Sequence, residues 1–401
     1  MQKSNQTYLP LIGSLYINYL FQGIAAIAIS QNLALFQKQW SASLSQVTLV
    51  ISAIGLGRII SLNFSGWFSD RFSRKQTVLI GVIAYCLFFF GIVWTNHYLP
   101  AFLVALLAGV GNAFLDTSTY PIVVESFPSE NDNSALSVLN KAFISIGQFI
   151  FPFITRWTIQ QHLYFGWTFL MCALGLLLNL FFLRRFAYPD RQDLAEKKPI
   201  RSQLPRAKIG AEGAALMLFS FVSVSLFNVF ILWIPSFSEQ VLSIKNEDSL
   251  LFVSIYSIAS FVSVFLTSFI VKRKANIAKL ILICLLATAL SLGGMLLFPS
   301  LQSIVLASLT VGVFAAGGIW QLGLALLLEF FPQSKGMVTS FYSLTTAISV
   351  MVTPYLTGLM AERSIYQVFA YDFFLALVGF LAILLVKYRY EKVFSKENVT
   401  I

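Results

Sequence analysis

The stretch that decides the fold runs from Gly109 to Pro128 and reads GVGNAFLDTSTYPIVVESFP. It lies within a long apolar segment, yet it contains a carboxylic acid, Asp116. A charged side chain in the middle of a membrane helix costs roughly 3 kcal/mol or more, so one that is present is expected to have a task. Asn112, Asp116 and Tyr120 follow at intervals of four and therefore share one helical face. We interpret this face as a polar surface that lines a transport pathway.

The composition is that of a polytopic membrane protein. Of the 401 residues, 57% are hydrophobic and 11% are charged, whereas soluble domains average about 25% charged residues. The three cysteines fall inside apolar runs without paired spacing, which favours packing residues over a disulfide or a metal site. The sequence has no Walker-type nucleotide loop. We therefore expect no enzymatic activity, no cofactor and no metal.

Apolar runs of about 20 residues, long enough to span a bilayer, occur twelve times, and the connections between them are short except for one. That exception is a polar, proline-containing segment at 186–211. The pattern predicts an all-α polytopic membrane protein with two six-helix halves. We place the first half at 1–185, a cytoplasmic linker at 186–211, the second half at 212–387 and a cytoplasmic tail at 388–401.

Short internal matches indicate that the two halves are repeats. Span four ends in Glu125-Ser-Phe-Pro128, and span ten ends in Glu329-Phe-Phe-Pro332 at the same rank of its half. The same register places Trp320 at the position of Asp116. Two repeats in the same orientation predict pseudo-symmetry about the membrane normal, with a binding site between the halves at mid-depth.

The distribution of positive charge predicts the orientation. Most of the 27 Lys and Arg residues fall in loops on the side of the termini, and the opposite loops hold only Lys38, Arg156, Lys245 and Arg363. Because loops rich in Lys and Arg stay in the cytoplasm, we expect both termini there and the chain in the cell (inner) membrane. This topology and contact with anionic membrane lipids account for the formal net charge of +10. We expect no nucleic-acid partner, and we expect a monomer.

The loop between spans two and three reads GWFSDRFSRK, from Gly66 to Lys75. It resembles the Gly-x-x-x-Asp-Arg-x-Gly-Arg-Arg/Lys loop of the major facilitator superfamily, with Ser73 where glycine is usual. The resemblance implies the major facilitator fold and a cytoplasmic gate that holds the halves together and breaks as the carrier opens inward. We assign to this gate Gly66, Asp70, Arg71, Arg74, Glu125 and Glu329.

The physical roles of the gate residues follow from their positions. Gly66 would let a neighbouring helix approach closely. Asp70 would lie near the beginning of span eleven, where a helix N-terminus favours a carboxylate. Arg74 is within reach of Glu125 at the cytoplasmic end of span four.

Asp116 is the leading candidate for proton coupling. An unpaired carboxyl group in a low-dielectric interior favours the protonated form, which suits reversible protonation during a transport cycle. The alternative is an ion pair with Arg58, near the middle of span two, which would favour the carboxylate instead. Arg58 would alternatively bind a substrate carboxylate, because its planar guanidinium matches that group.

A second resemblance concerns Leu115–Pro121, which reads LDTSTYP. It looks like the Leu-Glu-Thr-x-x-Asn-Pro run in span four of the fucose permease family of sugar–proton symporters. In that family the acid of this run takes part in sugar binding and proton coupling, so the resemblance implies both roles for Asp116. The second acid of the family, late in span one, aligns with Gln31, which cannot titrate.

Other polar and aromatic residues complete the predicted substrate site. In carriers of this shape spans one, four, seven and ten line the centre, and a Trp that faces polar amides is a common way to bind a sugar ring. The candidates are Asn18, Gln22, Gln31, Arg58, Asn112, Asp116, Tyr120, Asn228, Trp233, Trp320 and Gln321.

The favoured function is a secondary active transporter that moves a small polar solute by alternating access, with proton symport. Sugars or sugar-like molecules come first, and small organic acids follow because of Arg58. The alternative is a proton-coupled efflux antiporter for drugs or metabolites. Span four lacks the arginine that such antiporters of this superfamily usually carry, which argues against export. A receptor or scaffold without transport activity is a third hypothesis, which the gate motif and Asp116 disfavour.

Overall fold

The computed structural model describes residues 8–127, 130–189, 209–272, 276–332 and 334–394. These residues form helices and turns and contain no strand, which confirms the all-α fold. Within the described ranges, twelve helices are long and apolar enough to cross a membrane. Helices dominate because only intra-segment hydrogen bonds can satisfy every backbone polar group inside lipid. Most of the predicted linker and the end of the predicted tail lie outside the described residues.

The twelve spans divide into two sets of six. Spans one to six are Leu9–Ala28, Leu44–Arg71, Arg74–Val93, Tyr98–Ser126, Glu130–Gln160 and Gly166–Arg185. Spans seven to twelve are Ala214–Leu242, Leu251–Lys272, Ile277–Leu297, Leu301–Phe330, Lys335–Ala361 and Ile365–Phe394. Span one ends at Ala28, where a 3₁₀ turn at Ser30–Asn32 follows and leads into the short helix Leu33–Trp40. Span twelve extends beyond the predicted end at 387.

Spans two and four cross closely because glycines lie at their contact. A Cβ atom on Gly109 would lie 2.1 Å from the carbonyl oxygen of Ile54, and one on Gly57 would lie 2.2 Å from that of Leu106. Only glycine fits at either position, and such small residues allow close packing of membrane helices. The crossing brings the helix that carries Arg58 against the helix that carries Asp116.

The close approach predicted at Gly66 does not occur in this structure. Nothing among the described residues lies within 4 Å of the position that a Cβ atom would take there. The glycines of span two that mediate close approach in this structure are Gly55 and Gly57, nearer the middle of the helix.

The two halves contact each other toward the face opposite the termini, which we call the far face. The face that carries the termini is called the termini face. The inter-half hydrogen bonds of the described residues join spans two and eleven or the segments around spans five and eight, and all lie between mid-depth and the far face. They are Ser45–Glu362, Ser52–Tyr355, Ser145–Ser260, Phe149–Ser254 and Arg156–Asp248. This arrangement is closed at the far face.

Span ten is interrupted near its middle. A π-helical turn at Val311–Ala315 leads to Gly318, whose φ of 113° lies in the left-handed region that favours glycine. Span eight satisfies two carbonyl groups at the interruption: Ser263 Oγ donates to Val313 O at 2.6 Å and Thr267 Oγ1 donates to Gly317 O at 2.5 Å. Side-chain hydroxyls on a neighbouring helix are a usual way to satisfy a broken helix in a membrane.

Candidate functional site

Asp116 lies at the centre of a polar cluster contributed by three spans. Its Oδ2 accepts a hydrogen bond from Arg58 Nη2 at 3.0 Å, and its Oδ1 accepts one from Tyr19 Oη at 3.1 Å. The side chains of Arg58 and Asp116 are 20% and 18% exposed, so the ion pair is largely but not completely enclosed. In this structure Arg58 is therefore the partner of Asp116.

A second polar pair joins spans one and four next to this cluster. Gln22 Nε2 donates a hydrogen bond to Asn112 Oδ1. Asn112 is one turn before Asp116 on the same helical face, and Gln22 follows Tyr19 by three residues. Gln22 Oε1 and Arg58 Nε are enclosed and have no hydrogen-bond partner among the described residues.

Tyr120 continues the polar face of span four toward the termini face. It is 44% exposed and lies beside Asn140 of span five. Asn140 is 3% exposed, and neither of its amide atoms has a hydrogen bond of good geometry to another described residue. The sequence analysis did not identify Asn140, because a single amide near the beginning of a span is not distinctive.

Lys141, the next residue, was also missed as a site residue. Its Nζ lies 4.8 Å from the ring centroid of Phe227 on span seven, which places a cation of one half over an aromatic ring of the other. Asn228 adjoins Phe227 and is half-buried. A lysine inside an apolar segment can be seen in the sequence, but its place near the beginning of span five did not distinguish it from a residue at the edge of the membrane.

The second half contributes aromatic and hydroxyl groups that bind one another. Trp320 Nε1 donates to Thr346 Oγ1 at 2.8 Å, and Tyr342 Oη donates to the Trp320 carbonyl at 2.9 Å. Trp320 is half-buried, and the neighbouring Gln321 is exposed. Trp320 is thus held in place by its own half, with part of its ring free of protein contact.

Like the residues of the second half just described, three more predicted site residues lie outside the Asp116 cluster. Asn18 is fully buried, and its Oδ1 accepts from Asn179 Nδ2 of span six at 2.8 Å. Trp233 is fully buried and donates to Thr357 Oγ1 at 2.8 Å. Gln31 is buried in the turn after span one, and its amide atoms have no hydrogen-bond partner among the described residues. Asn18 connects two helices of the first half, and Trp233 connects two helices of the second half.

The gate residues are brought together within the first half. Arg74 Nη1 lies 2.8 Å from Asp70 Oδ1, and Arg74 Nη2 lies 3.3 Å from Glu125 Oε1. The Asp70 side chain is 61% exposed and that of Glu125 is 4% exposed. Arg71 lies over the Trp67 ring at 5.7 Å. In the second half, Glu329 is exposed and hydrogen-bonds with Tyr390.

The sequence analysis did not identify two further polar side chains, Tyr19 and Asp372, as candidate functional residues. Tyr19 contacts Asp116, but a tyrosine in an apolar run has no distinctive pattern. Asp372 of span twelve is fully buried, and neither carboxyl oxygen has a hydrogen-bond partner among the described residues. The rule that singled out Asp116, an acid inside an apolar span, also applies to Asp372.

Comparison with known proteins identifies relatives along almost the whole chain. The family model of the Major Facilitator Superfamily matches residues 15–313 and, in a second match, 276–399. The chain is 32% identical to the inner membrane transport protein YdiM of Escherichia coli over 388 residues, which are 96% of this chain and 95% of YdiM. It is 30% identical to the inner membrane transport protein YdiN of E. coli over 386 residues, 95% of this chain and 90% of YdiN.

A solved structure has the same fold. The D-xylose-proton symporter superposes with a TM-score of 0.79 at 18% identity, over 95% of this chain and 97% of the symporter chain. This similarity confirms the fold class.

Proposed function

Because the chain belongs to the major facilitator superfamily, we propose that this secondary transporter moves a small polar solute across the cytoplasmic membrane by alternating access, together with a proton. The solute is a sugar, a sugar-like molecule or an organic acid. The observation that carries the proposal is the position of Asp116, an acid inside the membrane that pairs with Arg58 and Tyr19 at the edge of the interior. An ionisable residue in such a place is a functional candidate by default.

The proton and the solute act on the same ion pair. When Asp116 accepts a proton, its charge and its attraction for the Arg58 guanidinium are lost. The guanidinium and the Tyr19 hydroxyl can then bind oxygen atoms of the solute, since charge-assisted hydrogen bonds are among the strongest available. Release of the solute lets Arg58 return to Asp116 and favours loss of the proton. Proton and solute therefore travel together.

The orientation proposed from the positive charges puts the termini face in the cytoplasm. The far face, where the halves make their hydrogen bonds, is then the outer face, and the arrangement is open toward the cytoplasm. Arg74, with Asp70 and Glu125, lies at the cytoplasmic edge of the first half, where a gate would close in the opposite state. A sugar and a proton are natural first candidates because the D-xylose-proton symporter shares the fold.

The test uses purified protein in liposomes that contain a pH-sensitive dye. Glucose, xylose and glucuronate are added outside in turn, and we expect at least one to acidify the lumen. Asp116→Asn should abolish this acidification, while Glu239→Gln, a matched change of an exposed acid at the far end of span seven, should leave it intact. Solute-driven acidification that persists in Asp116→Asn would refute the coupling role. Alkalinisation of the lumen would instead indicate antiport.

A further inference from the structure

Lys141 and Arg58 occupy similar positions on their spans: each lies about one turn on the termini side of a residue that contacts the other half. In span two, Gly55 makes the tight contact with span eleven, and Arg58 follows three residues later toward the termini face. In span five, Ser145 Oγ hydrogen-bonds with Ser260 Oγ of span eight at 3.3 Å, and Lys141 is one turn nearer the termini face. Both cations therefore lie about one helical turn from a contact between the halves, on its termini side.

Only one of these two cations has a carboxylate. Arg58 pairs with Asp116, whereas Lys141 has no acidic partner among the described residues. A lysine within a membrane helix is energetically costly, and such residues are rare unless they have a function. Lysines near helix ends usually extend toward the interface. The amine of Lys141 instead extends across to Phe227 of the other half.

The neighbours of Lys141 supply the contacts of a binding site and no counter-charge. Phe227 offers a flat apolar surface, and Asn140 offers an amide that makes no hydrogen bond of good geometry to another described residue. With Asp116 neutralised by Arg58, the group of three ionisable side chains has one positive charge in excess. An excess of charge of one sign attracts solutes of the other sign.

We propose that the transported solute is a small organic anion and that Lys141 binds its carboxylate. This inference rests on the proposed function and narrows its solute to the acid class. The carboxylate contacts the ammonium group of Lys141, the carbon skeleton packs on Phe227, and hydroxyl groups of the solute reach the amides of Asn140 and Gln22. Because Lys141 belongs to the first half and Phe227 to the second, one bound anion contacts both halves.

The experiment compares solutes that differ only in the carboxylate. Binding to the purified full-length protein is measured by thermal shift and calorimetry with three pairs: glucose and glucuronate, glycerol and glycerate, and benzyl alcohol and benzoate. We expect a carboxylate to bind roughly 10-fold or more tightly than its neutral partner, as a charge-assisted hydrogen bond provides. Lys141→Gln should remove this preference, and Lys141→Arg should keep most of it.

Lys38→Gln is the control for charge, since it removes an exposed cation from the short helix Leu33–Trp40. It should preserve the carboxylate preference. The proposal is overturned if no carboxylate binds, if neutral partners bind as tightly, or if Lys141→Gln retains the preference. Binding in detergent requires no proton gradient, so a failure of proton coupling in the liposome assay leaves this result unaffected. If the protein takes up neutral solutes with protons and takes up no carboxylate, this inference is refuted and the proposed function stands.

Discussion

Gly55 of span two lies directly against the backbone of Met351 of span eleven. A Cβ atom on Gly55 would be 2.3 Å from the Met351 amide nitrogen and 2.6 Å from its Cα. The two residues belong to different halves, and this contact is the closest backbone approach between them among the glycines of the described chain. The close contact between the halves therefore requires that Gly55 carry no side chain.

Replacement of Gly55 by alanine should destabilise this closed arrangement. Because the atoms that a methyl group would meet belong to the backbone, the helices must separate, and overpacking of this kind costs about 1–3 kcal/mol. We expect the melting temperature of the purified protein to fall by a few degrees. The control is Gly294→Ala, where nothing lies within 4 Å of the added atom. Equal melting temperatures of the two variants would contradict the prediction.

Arg58 and Asp116 should behave as a coupled pair in a double-mutant cycle. Each single variant, Arg58→Gln or Asp116→Asn, leaves one charge in the interior without its partner. We expect both single variants to lose thermal stability and the double variant to lose less than the sum, with a coupling of about 0.5–3 kcal/mol. Strictly additive melting shifts would show that the contact contributes nothing to the stability of this state.

The contact between Glu362 and Ser45 should make the far face sensitive to pH. The backbone amide of Ser45 donates to Glu362 Oε1 at 2.8 Å, and this hydrogen bond lowers the pKa of the exposed Glu362 carboxyl from its ordinary value of 4.5. A lowered pKa means that the contact is stabilising above the ordinary value and is lost as the pH falls through the lowered one. Acid should therefore loosen the far face.

Spin labels at Lys38→Cys and Lys245→Cys, both exposed, report the separation of the two halves at that face. The inter-label distance should lengthen as the pH is lowered from neutrality to below the lowered pKa of Glu362. With Glu362→Gln added, the distance should already be longer at the higher pH and should change little with acid. If Glu362→Gln kept the full pH response, another group would be responsible.

Asp372 should reduce the stability of the protein in this state. A buried polar group without a partner costs about 1–3 kcal/mol, and Asp372 has neither a hydrogen bond nor an ion pair among the described residues. We expect Asp372→Val to raise the melting temperature and Asp372→Asn, which keeps the polarity, to leave it nearly unchanged. A lower melting temperature of the valine variant would mean that the carboxyl group has a stabilising partner.

The fold could be predicted from the sequence because lipid leaves few alternatives. An apolar run of sufficient length must become a helix, so twelve runs yielded twelve spans. The same reasoning fails where the chain leaves helical geometry without leaving the membrane. The 3₁₀ turn at Ser30–Asn32 and the interruption before Gly318 lie in apolar runs, and nothing in the composition separates them from regular helix.

The site could be predicted only in part, because charge is visible in a sequence and orientation is not. Asp116 and Arg58 were identified as ions inside spans, but the sequence left open whether they pair. Tyr19 and Lys141 matter because of what lies opposite them, on spans distant in the chain. Asn18 and Trp233 show the converse, since polar or aromatic residues on a central span also serve to join helices.

The interruption of span ten divides it into two helical segments that can move relative to each other. The helical segment on the termini side, Ile319–Phe330, carries Trp320 at one end and Glu329 at the other. An uninterrupted helix transmits bending along its length, whereas a gap in the hydrogen-bond ladder localises it. We therefore expect a displacement at Glu329 to reach Trp320 and to end at Gly318. Ser263 and Thr267 of span eight hydrogen-bond to the backbone at the interruption. Span eight therefore supports this point, and the segment on the far side can stay in place while the segment on the termini side moves.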